Sequence, residues 1–253
     1  MVRPLFFSPC DWEVAGLVSN YATTRPRHLF HSALSIDGDH IYEHWIGKNA
    51  EESGFPHVLG NEFICAQLAA EVGLSVPECR VEQIDERTWF ISHYISNELF
   101  TYSKLQRCRN IGHIPLLLLF DLWVCNPDRS PSNLLLSPTS DPPGTYEFIV
   151  IDHSHALFGE TDVPRLLDVD PRLCFDFPEL TERVRSDRDW DSALSKLQSL
   201  SKEAVDEVAN ALRDAASLTL DIDSVTDKLA KRKEQLPELL HHARTLGCFP
   251  NWV

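Results

Sequence analysis

The chain has 253 residues, 43% hydrophobic and 24% charged, with 10 Gly and 16 Pro. This excludes a disordered, fibrous or collagen-like protein and fits one bilobal unit or two modest domains. Lys and Arg total 23 against 38 Asp and Glu, a net charge of −15, and so acidic a surface repels phosphate backbones and anionic lipid, which argues against nucleic acid or membrane as a partner.

The first stretch alternates like strands. Arg27 to Ile36 and Asp39 to Lys48 flank Asp37-Gly38, the signature of a hairpin turn. Asn61 to Val72 carries apolar residues at helical spacing, with Asn61 as an expected N-cap and Gly73 as an expected stop. Glu78 to Ile84 and Thr88 to Ile95 read as two further strands. Pro115 then opens an apolar helix, Leu116 to Cys125. The whole apolar run from Ile114 is broken by Asp121 and is too short to span a bilayer.

A polar loop, Asn126 to Asn133, follows, and Leu134 to Leu136 and Glu147 to Ile151 look like short strands. Beyond Phe158 the pattern is mostly helical, punctuated by Pro164, Pro171 and Pro178, with Ser201 to Leu218 and Ile222 to Leu246 as the clearest amphipathic helices. Residues 1–96 thus read as a β-rich N-lobe and 97–253 as a mostly helical C-lobe carrying the polar loop. That order is the order of a bilobal, protein-kinase-like α+β fold.

Three groups of residues could carry chemistry. Phosphoryl transfer needs a carboxylate to take the attacking hydroxyl's proton and a side-chain oxygen to hold a metal on the phosphates. Asp128 and Asn133 have the D-x-x-x-x-N spacing for those tasks. The run Ile149-Val150-Ile151-Asp152 ends an apolar strand in a carboxylate, a position from which Asp152 could bind Mg²⁺. Lys48 ends a strand and Glu62 opens a helix, so the two could pair and aim the ammonium at nucleotide phosphates. Each feature alone has a plain structural reading: a turn Asp, a capping Asp, a surface Lys. The joint order Lys48, Glu62, Asp128, Asn133, Asp152 is what points to a kinase.

The segments GNEFICAQLAAEVGLSVPE, LFDLWVCNPDRSPSNLLL and FIVIDHSHALFG resemble the HipA-like kinases, in particular compact bacterial proteins with little beyond the kinase core. The resemblance is good over residues 20–160 and weak beyond. It implies a divergent protein-kinase fold, ATP and Mg²⁺ as cofactors, and a Ser or Thr hydroxyl of a protein as acceptor. It places the ATP lysine on Lys48, its helix partner on Glu62, the catalytic base on Asp128 and the metal ligands on Asn133 and Asp152. There are departures. Residues 21–40 contain only Gly38, so Arg25 or Arg27 with backbone amides would have to cradle phosphate. Ser130 stands where HipA toxins have His, so toxin activity is not implied, and an antitoxin-like partner is not indicated.

Two other readings stay open: a small-molecule or lipid kinase, and a kinase-shaped regulator that holds nucleotide without turnover. Arg129 is expected to pair with Asp121 inside the apolar helix, because a lone buried carboxylate is costly. His153 and His155 are expected to make supporting hydrogen bonds around Asp152 rather than to bind zinc. Trp45, Trp89, Trp123 and Trp190 read as core, and the Lys228, Lys231, Arg232, Lys233 run and His241-His242 read as solvated helix surface. The hinge between lobes should fall near Ser92 to Glu98. The 7 cysteines are odd in number and form no C-x-x-C pair, and Met1 to Cys10 has no signal-peptide core; both fit a cytoplasmic protein.

Overall fold

The computed structural model describes residues 11–19, 22–34, 40–158, 170–216 and 221–252. The chain opens with three strands, β1 (Asp11–Leu17), β2 (Arg27–Leu34) and β3 (His40–Lys48). With β4 (Cys79–Ile84) and β5 (Arg87–His93) they form a five-stranded antiparallel sheet in the order β1-β2-β3-β5-β4. The expected pairing of β2 with β3 is present, with Arg27 opposite Gly47 and Leu34 opposite His40. Its Asp37-Gly38 turn lies outside the described residues. β1 is an addition to the sequence reading. Its Trp12 and Val14 pack on a small core of Leu29, Trp45, Ile84, Trp89 and Ile91 on one face of the sheet.

Period-two alternation sends Trp45 and Gly47 to that face and Ile46 and Lys48 to the other. Gly47 is required by close packing. A Cβ there would overlap the side chain of Leu29 and come within 2.9 Å of the Trp89 ring. Gly47→Ala is therefore expected to destabilise by about 1–3 kcal/mol, the usual cost of overpacking a filled core, and a thermal melt indistinguishable from wild type would contradict this.

Helices α1 (Ala50–Ser53) and α2 (Val58–Glu71) lie between β3 and β4 in the chain. Asn49 caps α1 by accepting the amide of Glu52 at 2.8 Å. α2 begins a turn earlier than its sequence pattern suggests, with His57 at the cap position, so Asn61 is not the N-cap but lies inside the helix and fully buried. The reason is that Val58 and Leu59 are themselves core residues and extend the buried helix backwards. The other end is as expected. Gly73 is left-handed (φ 86°), and the Gly73 and Leu74 amides close back on Ala70 and Ala69 at 2.9 Å each, a paired C-terminal cap. α2 is buried on nearly every side because β4 and β5 cover one flank and a C-terminal helix the other.

Among the described residues, the regular structure of the remainder is helical apart from one hairpin. α3 (Tyr102–Leu105) precedes α4 (Ile114–Val124), which has Pro115 in its first turn and a left-handed Cys125 (φ 54°) at its end. A 3-10 turn at Pro131–Asn133 leads into β6 (Leu134–Pro138), paired antiparallel with β7 (Tyr146–Val150). After a 3-10 turn at Pro171–Cys174 come α5 (Pro178–Thr181), α6 (Asp187–Ser199), α7 (Lys202–Ala216) and α8 (Ile222–Thr245). α4 is the central rod, packed by α6 and α8, while α7 reaches across to α2 and β4.

Trp45, Trp89, Trp123 and Trp190 are all buried, as expected, and the Trp123 indole donates to the Leu229 carbonyl at 2.9 Å. The basic run on α8 is not one solvated face. Arg232 is fully buried, with Nε donating to the Leu122 carbonyl at 2.8 Å, and Lys233 reaches the Leu200 carbonyl at 2.6 Å. Arg232 lies in register with buried Val225, Leu229, Leu236 and Leu240 on the stripe facing α4, so helical phase overrides local charge. His241 and His242 are exposed, as expected. Among the described residues no helix is long and apolar enough to cross a membrane.

Candidate active site

A cleft of about 550 Å³ opens between the sheet and the helical part, lined by the β1–β2 connection, Ile46, Phe90, the segment after β5, and the ends of β6 and β7. Lys48, Glu62, Asp128, Asn133 and Asp152 all line it. At its floor the Lys48 ammonium donates to Glu62 Oε1 at 2.5 Å and to Asp152 Oδ1 at 2.8 Å. β3 supplies the lysine, α2 the glutamate and the segment after β7 the aspartate. Asp152 holds a left-handed backbone (φ 60°), with its carboxylate paired to Lys48. Burial alone would lower the Lys48 pKa, but the two carboxylates hold it above the usual lysine range. Burial likewise opposes charge on Asp152, and Lys48 and two hydroxyl or ammonium hydrogen bonds hold it below the usual carboxylate range. Glu62 is the most deeply placed of the three, and burial pushes its pKa up.

The polar loop is built on one buried ion pair. Arg129 Nε and Nη2 reach Asp121 Oδ2 and Oδ1 at 2.8 and 2.9 Å. Its Nη1 donates to the carbonyls of Asn133 (3.1 Å) and Ile151 (2.7 Å). One guanidinium thus joins α4, the polar loop and the end of β7, the loop-holding role read from the sequence. Asn126, fully buried, donates to Asp121 Oδ1 at 3.0 Å and accepts the Asp128 amide at 3.2 Å. Asn133 Nδ2 donates to the Asp128 carbonyl at 2.6 Å, which orients its amide. The Asp128 side chain itself is left exposed at the cleft.

Several details depart from the sequence reading. Val18, Ser19, Ala22, Thr23, Thr24 and Pro26, from the connection between β1 and β2, line the cleft. Arg25 and Arg27 are not among the residues that line the cleft. Arg25 is exposed, and Arg27 Nε is held by Glu52 at 2.7 Å. His153 serves the site through its backbone amide, which donates to Glu62 Oε2 at 3.2 Å, while its buried ring packs edge-on to Phe120. His155 packs edge-on to Phe55. Ser92, His93, Tyr94, Ile95 and Asn97 of the expected hinge line the cleft, and Glu98 bridges to Leu136.

Two site residues escaped the sequence reading. Ser154 Oγ lies 2.5 Å from Glu62 Oε1, 2.8 Å from Asp152 Oδ1 and 3.0 Å from Lys48 Nζ. Asn61 donates to the Ser154 carbonyl at 2.6 Å. The only local signal was a small hydroxyl residue two positions beyond Asp152.

A small antiparallel sheet with one buried helix, set over a helical part that carries the polar loop, is the bilobal fold of protein kinases. The sequence profile described as HipA-like kinase matches residues 43–236, most of the chain, and the protein belongs to the HipA-like kinase family. Among solved structures it is similar to the proinflammatory kinase CtkA of Helicobacter pylori, with a TM-score of 0.54 at 13% identity over 86% of this chain and 95% of that one. It is also similar to HipA of Shewanella oneidensis, solved with HipB and operator DNA, with a TM-score of 0.48 at 15% identity over 95% of this chain and 68% of that one. No curated protein matches the sequence.

Proposed function

We propose that the protein is an ATP- and Mg²⁺-dependent phosphotransferase whose acceptor is a Ser or Thr hydroxyl of a protein. The observation that carries this is the convergence of Lys48, Glu62, Asp128, Asn133 and Asp152 on one cleft. Family membership supports the kinase chemistry. The individual roles are our reading of the geometry, and the acceptor class is what the resemblance to HipA-like kinases implies.

In this reading Glu62 holds the Lys48 ammonium over the floor of the cleft, where it neutralises phosphate charge. Asp128 orients the acceptor hydroxyl and takes its proton, which its exposed position permits. Asn133 and Asp152 present amide and carboxylate oxygens, hard donors suited to Mg²⁺, which keeps several waters and uses few protein ligands. Bound Mg·ATP would supply the phosphoryl group and offset its charge. Backbone groups of Ala22–Thr24 take the place of a glycine-rich phosphate loop. The proposed lobe boundary is residue 96/97, within the cleft-lining segment that follows β5. The cytoplasm is the proposed compartment, and no antitoxin is part of the proposal.

Asp152→Asn tests the metal assignment. In Mg²⁺ it should weaken ATP binding by at least about tenfold, as loss of a metal-site group does. In EDTA its affinity should not fall below wild type. Calorimetric titrations showing equal affinities for the two proteins in Mg²⁺ would remove Asp152 from the metal site.

A further inference from the structure

The Lys48 ammonium has three N–H donors and no acceptor. Three oxygens lie within hydrogen-bond distance of it: Glu62 Oε1 at 2.5 Å, Asp152 Oδ1 at 2.8 Å and Ser154 Oγ at 3.0 Å. Every donor therefore already has an acceptor, and none is left over for a phosphate. Two of those acceptors are carboxylates, and bonds to charged groups are the stronger ones. Ser154 is the neutral member and the weakest hold.

Ser154 is also fixed in place. It is 1% exposed. Its carbonyl accepts from Asn61 at 2.6 Å, and Asn61 Oδ1 takes the Phe158 amide at 3.3 Å. Asn61 precedes Glu62 on α2, so the helix that supplies the lysine's first acceptor also pins the third. The single Ser154 hydroxyl proton goes to a carboxylate, Glu62 or Asp152. Its oxygen is left to receive Lys48.

We propose that Ser154 is a positioning residue that latches Lys48, its hydroxyl oxygen occupying the ammonium's third donor and so setting how readily the lysine turns to nucleotide phosphates. The proposal rests on the nucleotide-binding reading above. A phosphate oxygen gains a Lys48 N–H by displacing one of the three oxygens, and Ser154 yields at least cost. Without the hydroxyl, the empty site is left with a buried donor that lacks a partner, which raises the energy of that state. A bound phosphate then satisfies the donor. Removing Ser154 Oγ therefore tightens nucleotide binding, where loss of a merely structural contact would weaken it or leave it unchanged.

The test is the affinity of a non-hydrolysable ATP analogue in EDTA, where no metal competes for Asp152. It uses calorimetry on the full chain, with thermal melts alongside. Ser154→Ala should bind about three- to tenfold more tightly than wild type, the worth of one exchanged hydrogen bond. Ser154→Cys is nearly isosteric and has a weakly accepting sulfur; it should shift the same way by less, and it decides the matter if the alanine variant does not melt cooperatively. Equal or weaker binding by the folded variants overturns the latch and leaves the nucleotide reading standing. No analogue binding by folded wild type, in Mg²⁺ or in EDTA, overturns the nucleotide reading itself and the latch with it.

Discussion

Asp128→Asn is expected to lower phosphoryl transfer by about two to four orders of magnitude, the range assigned to a positioned general base, while leaving the fold intact. The side chain is exposed at the cleft, and the loop does not depend on its charge. What the loop uses is the Asp128 backbone, whose amide meets Asn126 and whose carbonyl meets Asn133 at 2.6 Å. Its carboxylate makes one long contact with Asn133 Nδ2, at 3.5 Å. Asparagine keeps the shape and the backbone bonds but accepts no proton. Radiolabel transfer from ATP, to the protein itself or to a generic Ser/Thr substrate, measures the first half, and a thermal melt the second. Transfer within tenfold of wild type would mean that another group takes the proton. A large fall in melting temperature would mean that Asp128 is structural.

The site residues and the supporting residues differ in how visible they are in the sequence, for a physical reason. Lys48 ends β3, Asn133 precedes β6, Asp152 follows β7 and Asp128 lies in the loop after α4, while Glu62 is a lone charge in an apolar stretch of α2; in each place a polar residue interrupts an apolar pattern and can be seen locally. The structure brings all of them to one cleft. Asn61 and Ser154 were not visible, because their contacts join α2 to the segment after β7, far apart in the chain. Asn61 looked like a cap because Asn favours caps. Only the burial of Val58 and Leu59 shows that the helix had already begun.

The sequence pattern of residues 21–40 is read without β1, and finding β1 puts Val18, Ser19, Ala22, Thr23, Thr24 and Pro26, from its connection to β2, against the cleft. Arg232 was hidden by its lysine neighbours. Its burial depends on which face of α8 meets α4, and that is a tertiary fact. Strand pairing in the N-lobe was easier to read, because alternation and turn chemistry both act locally.

Asp121→Ala is expected to cost about 3–5 kcal/mol, the usual penalty for stripping a buried charge of its partner. Both side chains of the pair are almost wholly inaccessible, 2% exposed for Arg129 and 0% for Asp121. Burial alone would disfavour the Arg129 cation, and the Asp121 carboxylate more than restores it. With Asp121 gone, Arg129 Nε and Nη2 lose their acceptor in a site water does not reach, and Asn126 Nδ2 loses one as well. For a chain of this size the loss corresponds to a fall in melting temperature of roughly 6–20 °C. Transfer should fall too, since the same guanidinium spans α4, the polar loop and the end of β7.

The double variant Asp121→Leu/Arg129→Met separates the ion pair from the loop. Replacing a buried pair by apolar residues often restores stability, but here two carbonyls that Arg129 served, those of Asn133 and Ile151, would lose their donor. The double variant should therefore regain part of the stability lost by Asp121→Ala, and little of the transfer. A single variant that melts within a degree or two of wild type would show that solvent reaches the pair. A double variant that recovers full transfer would show that the Arg129 bonds to the loop carbonyls do not position Asp128 and Asn133.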